Sequence, residues 1–290
     1  MDGETTVVTR SQALRHAAEV FASSNIEDAS LEAEILLRHA LGISRPQVYL
    51  ELEHELIPEE NKLFEHLVAR RLGHEPSAYI TGHCEFYGLD FHVDRRVLIP
   101  RPESELLVEK AIEFARNRLA RDHLTIADIG TGSGNIAISL ALNLPLAKIY
   151  ATDISSTALE VASINCKKHG ISHRVFLLQG DLLHPLPEPV DLIVANLPYI
   201  EEPELGHLSP EISTFEPSLA LAGGQDGLDK MRQTLAQAKE KVLPEGCLLL
   251  EIGQGQGEEA VALAGSNLPH AKVKLTPDLN GIDRVITVSL

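Results

Sequence analysis

The apolar run Asp191-Leu192-Ile193-Val194-Ala195 ends in four residues whose types suit one kind of chemistry: Asn196-Leu197-Pro198-Tyr199. They can serve a planar nitrogen acting as a nucleophile. The lone pair of an amide nitrogen is delocalised, and its ~18–20 kcal/mol rotation barrier is one measure of that resonance. A site that holds both N–H bonds on acceptors leaves the lone pair aimed at an electrophilic methyl group. Asn196 brings a side-chain carbonyl, and the backbone carbonyl of Leu197 supplies a second acceptor. Pro198 stiffens that backbone, and Tyr199 offers a flat face for a planar group. Setting nitrogen and methyl in line can account for ~7–11 kcal/mol of barrier. No strong base is needed before transfer, because the proton becomes acidic once the nitrogen is alkylated. Alone, the tetrapeptide is equally a plain turn, since Asn and Pro are turn residues. Its company in the chain decides.

That company is an adenosine site. Ile126-Ala127-Asp128-Ile129 leads into Gly130-Thr131-Gly132-Ser133-Gly134, and a helix follows. Glycines let a backbone turn sharply beside a ligand, and the helix start offers free N–H groups to an anion. The spacing is GxGxG rather than the GxGxxG of a dinucleotide site, and no GK[ST] follows, which excludes a phosphate-binding P-loop. Asp153 ends the next strand, where a carboxylate suits two ribose hydroxyls; capping the helix at 156 is its bland alternative. Gly180-Asp181 follows the third strand, and a carboxylate there can accept from an adenine amino group. Three such features after three successive strands trace the carboxyl edge of an open α/β sheet, where ligands bind.

The elements that must position these residues read as follows. From Thr125 the chain alternates strands (125–129, 148–153, 175–179, 190–195, 246–252, 272–275, 284–289) with helices (135–142, 156–169, 226–241, 256–264). That alternation predicts a parallel sheet covered on both faces. The last two strands, joined across Pro277 to Gly281, suit a closing hairpin. Upstream, Glu85 to Val93 suggests a hairpin turning at Gly88. Val97 to Pro102 is held extended by its prolines, and a helix from Glu103 runs to about Ala120. Residues 1 to about 75 carry only helical spacing: Arg10 to Phe21, Leu31 to Leu41 with Ser30 as N-cap and Glu32 and Glu34 in the first turn, and a helix from Pro58 to about Arg71.

Composition narrows the partners. The chain has 290 residues and 44% apolar content, with 25 basic against 42 acidic side chains, a net charge of -17. Residues 1–82 alone hold 7 basic and 14 acidic side chains. Phosphate backbones are gripped by basic surfaces, so no direct nucleic-acid contact is expected. No apolar run approaches the ~18 residues of a membrane span, and Met1 to Glu4 do not read as a signal peptide. A cytoplasmic protein is expected. Three scattered cysteines suit reduced thiols. Cys166, His169 and His173 have metal-like spacing but no fourth ligand, so no metal is expected.

The segments Tyr79 to Gly82, Glu85 to Gly88, Leu98 to Glu103, Asp128 to Gly134, Asn196 to Tyr199, Gly223-Gly224 with Asp226 to Leu228, and Glu251 to Gly253 occur in a telling order. In them the chain resembles the release-factor glutamine N5-methyltransferases, the HemK/PrmC family, over nearly its whole length. The resemblance implies a class I S-adenosylmethionine-dependent methyltransferase domain at 103–290, Rossmann-like, with a seven-stranded, mostly parallel sheet. It also implies a helical substrate-recognition bundle at 1–75 and a β-hairpin linker at 76–102. Gly130, Thr131, Gly132, Ser133, Gly134, Asp153, Asp181, Leu182 and Asn196 would hold S-adenosyl-L-methionine. Asn196, Leu197, Pro198 and Tyr199 would form the catalytic turn. The implied substrate is the glutamine of the Gly-Gly-Gln motif in bacterial class 1 peptide-chain release factors, the proteins of translation termination, and a monomer is expected.

Three residues depart from the family pattern. Leu197 stands where the family usually has proline, which predicts a somewhat looser turn. Leu182 stands where an aromatic is common, and Ser104 where threonine is usual. Gly223-Gly224-Gln225 spells the substrate motif, which we read as coincidence. Alternatives are a ribosomal-protein glutamine methyltransferase, a methyltransferase for adenine N6 or guanine N2, and a non-catalytic scaffold.

Overall fold

In the computed structural model, which describes residues 8–118 and 123–290, Thr9 starts the first helix with a reciprocal cap. Its hydroxyl accepts from Gln12 N, and the Gln12 side chain accepts from Thr9 N. Contacts divide the chain between Gly82 and His83. The first unit is helical: α1 (Arg10–Ser23), α2 (Ala29–Leu41), α3 (Arg45–Leu50), α4 (Pro58–Leu72) and α5 (Ser77–Thr81). Its own core gathers Phe21, Ala33, Leu36, Leu37 and Phe64. The helix at 29 starts differently from the sequence expectation. Ser30 lies inside α2, and the N-cap is Asp28, in a left-handed conformation without a side-chain cap. Glu34 does not lie in the first turn of α2 either. It is buried, receives the Tyr49 hydroxyl at 2.7 Å and pairs with Arg45 at 2.9 Å. The helical unit continues through α5 to Gly82, past residue 75.

The second unit opens on the hairpin β1 (His83–Phe86) and β2 (Leu89–His92). Tyr87 and Gly88 both take positive φ at its turn, which matches the right-handed twist of paired strands. Phe86 and Phe91 are fully buried in the same cluster as the main sheet, and each contributes about 1.5–3 kcal/mol by burial. The hairpin is thereby part of this unit's core. After an extended stretch, a 3-10 turn (Pro102–Ser104) precedes α6 (Glu105–Arg116). The expected helix end near Ala120 lies outside the described residues, as do Met1 to Glu4.

Then come β3 (Thr125–Ile129), α7 (Asn135–Asn143), β4 (Lys148–Asp153), α8 (Ser156–Lys168), β5 (Val175–Gln179), β6 (Val190–Ala195), α9 (Pro210–Phe215), α10 (Asp229–Lys241), β7 (Val242–Glu251), α11 (Gly257–Asn267), β8 (Lys272–Pro277) and β9 (Asp283–Ser289). The seven strands lie in the order β5-β4-β3-β6-β7-β9-β8, and β9 alone runs opposite to the other six. This is the class I methyltransferase sheet. Alternate residues of the central strands face opposite layers. Ile126, Leu192 and Val194 pack with α6 and α7, while Ala127, Ile193 and Leu250 pack with α10 and α11. Two boundaries move. Asp226 accepts from Leu228 N in a turn, so α10 starts at Asp229. β7 starts at Val242 with a register shift before Cys247. Among the described residues no helix is long and apolar enough to cross a membrane.

Because β3, β4 and β5 run to one side and the chain then returns to β6 beside β3, a crevice opens at the carboxyl ends. Asp153, the glycine turn and Asn196 all sit there.

Candidate active site

The glycine turn is anchored from below. Asp128 is 1% exposed, and its Oδ2 accepts from the Thr131 hydroxyl at 2.6 Å and from Ala137 N at 3.2 Å. Its Oδ1 has no partner. Burial pushes this carboxyl up to about 7 against those two hydrogen bonds. Gly130 N and Thr131 N both donate to Thr152 O at 2.9 Å. Asp153 ties the turn to the next helix: Oδ2 accepts from Gly132 N and Oδ1 from Ser155 N, each at 2.9 Å. Burial raises its pKa, and the backbone donors pull it back down. Ser155, not Asp153, caps α8, accepting from Ala158 N at 3.1 Å.

Gly130, Gly132, Asp153, Asp181 and Leu182 line one cavity of about 850 Å³, its open mouth included, together with Asn196, Leu197 and Pro198. Four residues of the expected set are elsewhere. Thr131 and Ser133 are buried behind the turn. Gly134 caps α7 in a left-handed conformation and packs on Ile138 and Ala162. Tyr199 lines a smaller neighbouring cavity with Gly227, Met231 and Glu251. Leu182 takes φ 49° and its carbonyl accepts from the Thr152 hydroxyl at 3.0 Å, which turns the side chain inward. Lys230, a residue the sequence did not single out, also lines the cavity, and its Nζ is 4.0 Å from Asp181 Oδ1.

The Asn196 turn is held on three sides. Asn196 Nδ2 donates to Ser104 Oγ at 2.8 Å, and Ser104 Oγ donates to Glu251 Oε2 at 2.6 Å. Gln256 Nε2 donates to Tyr199 O at 3.0 Å, while its Oε1 accepts from Gly253 N at 2.8 Å. Gly223 and Gly227 press against the same turn. A Cβ on Gly223 would meet Tyr199 Cα at 2.7 Å, and one on Gly227 would meet Tyr199 O at 2.3 Å. Gly223-Gly224 is therefore present for close packing, which accounts for its accidental likeness to the substrate motif. Leu197 is 7% exposed, and its side chain lies 3.4 Å from where a Cβ of Gly130 would stand. Leucine thus fills space between the two turns. Burial and the nearby Glu251 charge push the Tyr199 phenol up to about 12, so it stays protonated at neutral pH.

A wall closes one side of the cavity. Val97 and Leu98 line it from the extended stretch, and Pro217, Leu219 and Ala220 from the segment after α9. The buried Glu216 carboxylate joins the two, accepting from Ile99 N at 3.2 Å and pairing with Arg101. Arg95 adds a cation–π contact, its guanidinium carbon 4.5 Å from the Phe215 ring centre. Prolines predicted the extended backbone, but nothing in residue spacing announced a partner more than a hundred positions away. Among the described residues no group of His, Cys, Asp or Glu is placed to hold a metal ion.

Comparison with known proteins places the two parts of the chain in known families. Residues 12–82 match the family model described as the PrmC N-terminal domain, and residues 120–222 match one described as a methyltransferase domain. The release factor glutamine methyltransferase of Moorella thermoacetica is 45% identical over 279 residues, covering 96% of this chain and 97% of that protein. The protein of the same name from Geobacter sulfurreducens is 42% identical over 266 residues, covering 91% of each chain. Among solved structures, a methyltransferase from Pyrococcus furiosus superposes with a TM-score of 0.51 over 70% of this chain and 89% of its own, at 18% identity. That likeness concerns the fold alone.

Proposed function

The chain belongs to the release factor glutamine methyltransferase family, and from that premise we propose that it methylates the side-chain amide nitrogen of the glutamine in the Gly-Gly-Gln motif of bacterial class 1 release factors. The observation that carries the reading is the meeting of Asn196 and Asp153 in one cavity, across the switch point of the sheet. The donor set fits S-adenosylmethionine. Asp153 has both carboxylate oxygens fixed by backbone donors and keeps lone pairs for two ribose hydroxyls. Asp181 suits the adenine amino group, with Leu182 as an aliphatic face beside it. Gly130 and Gly132 allow close approach of the cofactor chain, and Thr131, Ser133 and Gly134 hold the turn's shape from behind. S-adenosylmethionine, when bound, supplies the electrophilic methyl group.

This chain's residues then act on the substrate amide. Asn196 Oδ1 accepts one N–H and the Leu197 carbonyl the other, which directs the nitrogen lone pair away from both. Pro198 limits the freedom of that carbonyl. Tyr199, neutral and partly buried, provides an aromatic surface next to the turn. Val97, Leu98, Pro217 and Leu219 give the cavity an apolar wall on one side. We assign substrate gripping to the helical unit, which adds no residue to this chemistry, and place the enzyme in the cytoplasm as a monomer without direct nucleic-acid contact.

Incubation with purified release factor and labelled cofactor, followed by mapping of the modified residue, tests the proposal. Label on the Gly-Gly-Gln glutamine is the expected result. Label on a ribosomal protein or a nucleic acid, with release factor untouched, would overturn the substrate. Removing residues 1–82 should reduce methylation of intact release factor far more than that of a short Gly-Gly-Gln peptide. Equal losses on both would overturn the gripping role.

A further inference from the structure

We propose that Glu251, acting through Ser104, sets the side-chain amide of Asn196 with its carbonyl oxygen toward the substrate nitrogen. The proposal rests on the reading of Asn196 given above and deepens it. Three side chains from separate elements form one line: Asn196 after β6, Ser104 in the 3-10 turn before α6, and Glu251 at the end of β7. Ser104 is 1% exposed and Glu251 3%, so water does not stand in for either.

The argument is one of hydrogen-bond polarity. The oxygen and NH₂ of a primary amide have nearly the same shape, so packing hardly chooses between them. A hydroxyl has a single hydrogen, and an ionised carboxylate only accepts. With Glu251 ionised, the Ser104 hydrogen is committed to it over 2.6 Å. Ser104 then has only lone pairs to offer Asn196. The group facing Ser104 must be the NH₂, which leaves the carbonyl oxygen for the cavity that Asn196 lines. In that orientation it can accept an N–H of the glutamine amide. With Glu251 protonated, each link can reverse: Glu251 donates to Ser104, Ser104 donates to Asn196 Oδ1, and the amide presents hydrogens to hydrogens.

The surroundings place this reversal near neutrality. Burial dominates at Glu251 and, helped by the Glu103 charge, pushes its carboxyl up to about 7. Ser104 and Tyr199, by hydrogen bonds, and Arg284 on β9, by its charge, favour the ionised form. The relay is thus complete above neutral pH, about half set near pH 7, and fails as acid protonates Glu251. Glu251 and Ser104 are positioning residues; Asn196 is the group that meets the substrate.

The test uses the full-length enzyme, purified release factor and labelled S-adenosylmethionine. Ser104→Ala should lower kcat on the order of a hundredfold, the cost of displacing a reacting group by about 1 Å. KM for release factor and the calorimetric affinity for cofactor should change little. Ser104→Thr restores the hydroxyl and should recover most of the rate. In an Asn196→Ala background Ser104→Ala should add nothing, because the relay has no other output. At saturating cofactor, the acid limb of kcat near pH 7 should vanish in Glu251→Gln. The proposal is overturned if Ser104→Ala turns over at the wild-type rate, if it loses cofactor binding along with rate, if the Ser104 and Asn196 losses multiply, or if the acid limb survives in Glu251→Gln. A wild-type enzyme that leaves release factor unmodified sinks the substrate assignment, and the relay with it; that failure appears before any variant is compared.

Discussion

Replacing Asp153 by alanine separates two jobs of one carboxylate. Its oxygens accept from Gly132 N and Ser155 N at 2.9 Å each, and so join the glycine turn to the start of α8. Their remaining lone pairs are the ones assigned to the ribose. The internal job is the cheaper to lose, because the carboxylate is half-buried and both freed N–H groups can be rehydrated. A loss of ~1–2 kcal/mol is expected, near the lower end for hydrogen bonds to charged groups. For a unit of this size that lowers the apo Tm by about 2–8 °C. The ligand job is worth more. Two charge-assisted acceptors at ~1.5 kcal/mol each give ~3 kcal/mol, or somewhat over a ~100-fold rise in Kd. Asp153→Asn keeps one good acceptor and should fall between the two. Calorimetric titration with S-adenosylmethionine and a thermal scan of the apo protein measure the two jobs separately. If Tm falls as expected while Kd stays at the wild-type value, Asp153 only organises the turn, and the ribose assignment is refuted.

Asn196→Ala should lose about 10²–10³ in kcat, the usual cost of removing one preorganised polar contact, with cofactor affinity largely kept; near-normal release-factor methylation would refute the amide clamp. Gly227→Ala places a Cβ 2.3 Å from Tyr199 O at a residue with φ 71°, so it must displace the catalytic turn; kcat should fall at least about tenfold, as for any small misplacement, and a normal kcat would show that the turn tolerates the shift. Asp128 and Glu251 both titrate near 7 when folded, against about 3.9 and 4.3 unfolded. Their folded pKa values are raised, so the stability they contribute is complete below about pH 4 and lost progressively as pH rises to about 7. The apo Tm should therefore climb between pH 8 and pH 6, and Asp128→Asn should flatten that slope; an unchanged slope would place the titration elsewhere.

The central strands were legible in the residues alone. β3, β4 and β6 begin and end where mostly apolar runs meet turn residues, because strands covered on both faces are largely apolar, while β5, at the sheet edge with Phe176 exposed, shows as a short apolar run. The turn from Asn196 to Tyr199 was legible as the end of β6 from its residue types, and the structure brings Asn196, Leu197 and Pro198 to the larger cavity but Tyr199 to its smaller neighbour. What supports that turn was not legible. Ser104, Asn196 and Glu251 are brought together only by the sheet, and side chain to side chain bonds across such separations leave no trace in periodicity. The Glu216 bond to Arg101 in the extended stretch was hidden for the same reason. Short helices such as α3, α5 and α9 span fewer than two turns and carry too little pattern to be seen. Ser30 misled because a cap was inferred from residue preference, while α2 starts after a left-handed Asp28. Position 197 was treated as backbone only, and its buried side chain proves to fill the gap beside Gly130.

The placement of β9 between β7 and β8 bears on how the molecule comes into being. Synthesis proceeds from the N-terminal side, so β8 emerges before β9, yet β8 finds its hydrogen-bonding neighbour only when β9 arrives. Until then the flank of β7 is bare, and the fully buried side chains of Val285, Ile286 and Val288 are missing from the cores on either side of it. A nascent chain halted past Thr276 carries an unpaired apolar edge, the kind of template on which strands from other chains add. A message truncated there yields a product prone to clump rather than a weak enzyme. Cellular quality control then faces a substrate for chaperones and proteases, and the residues at risk are ones that do not line the cavity.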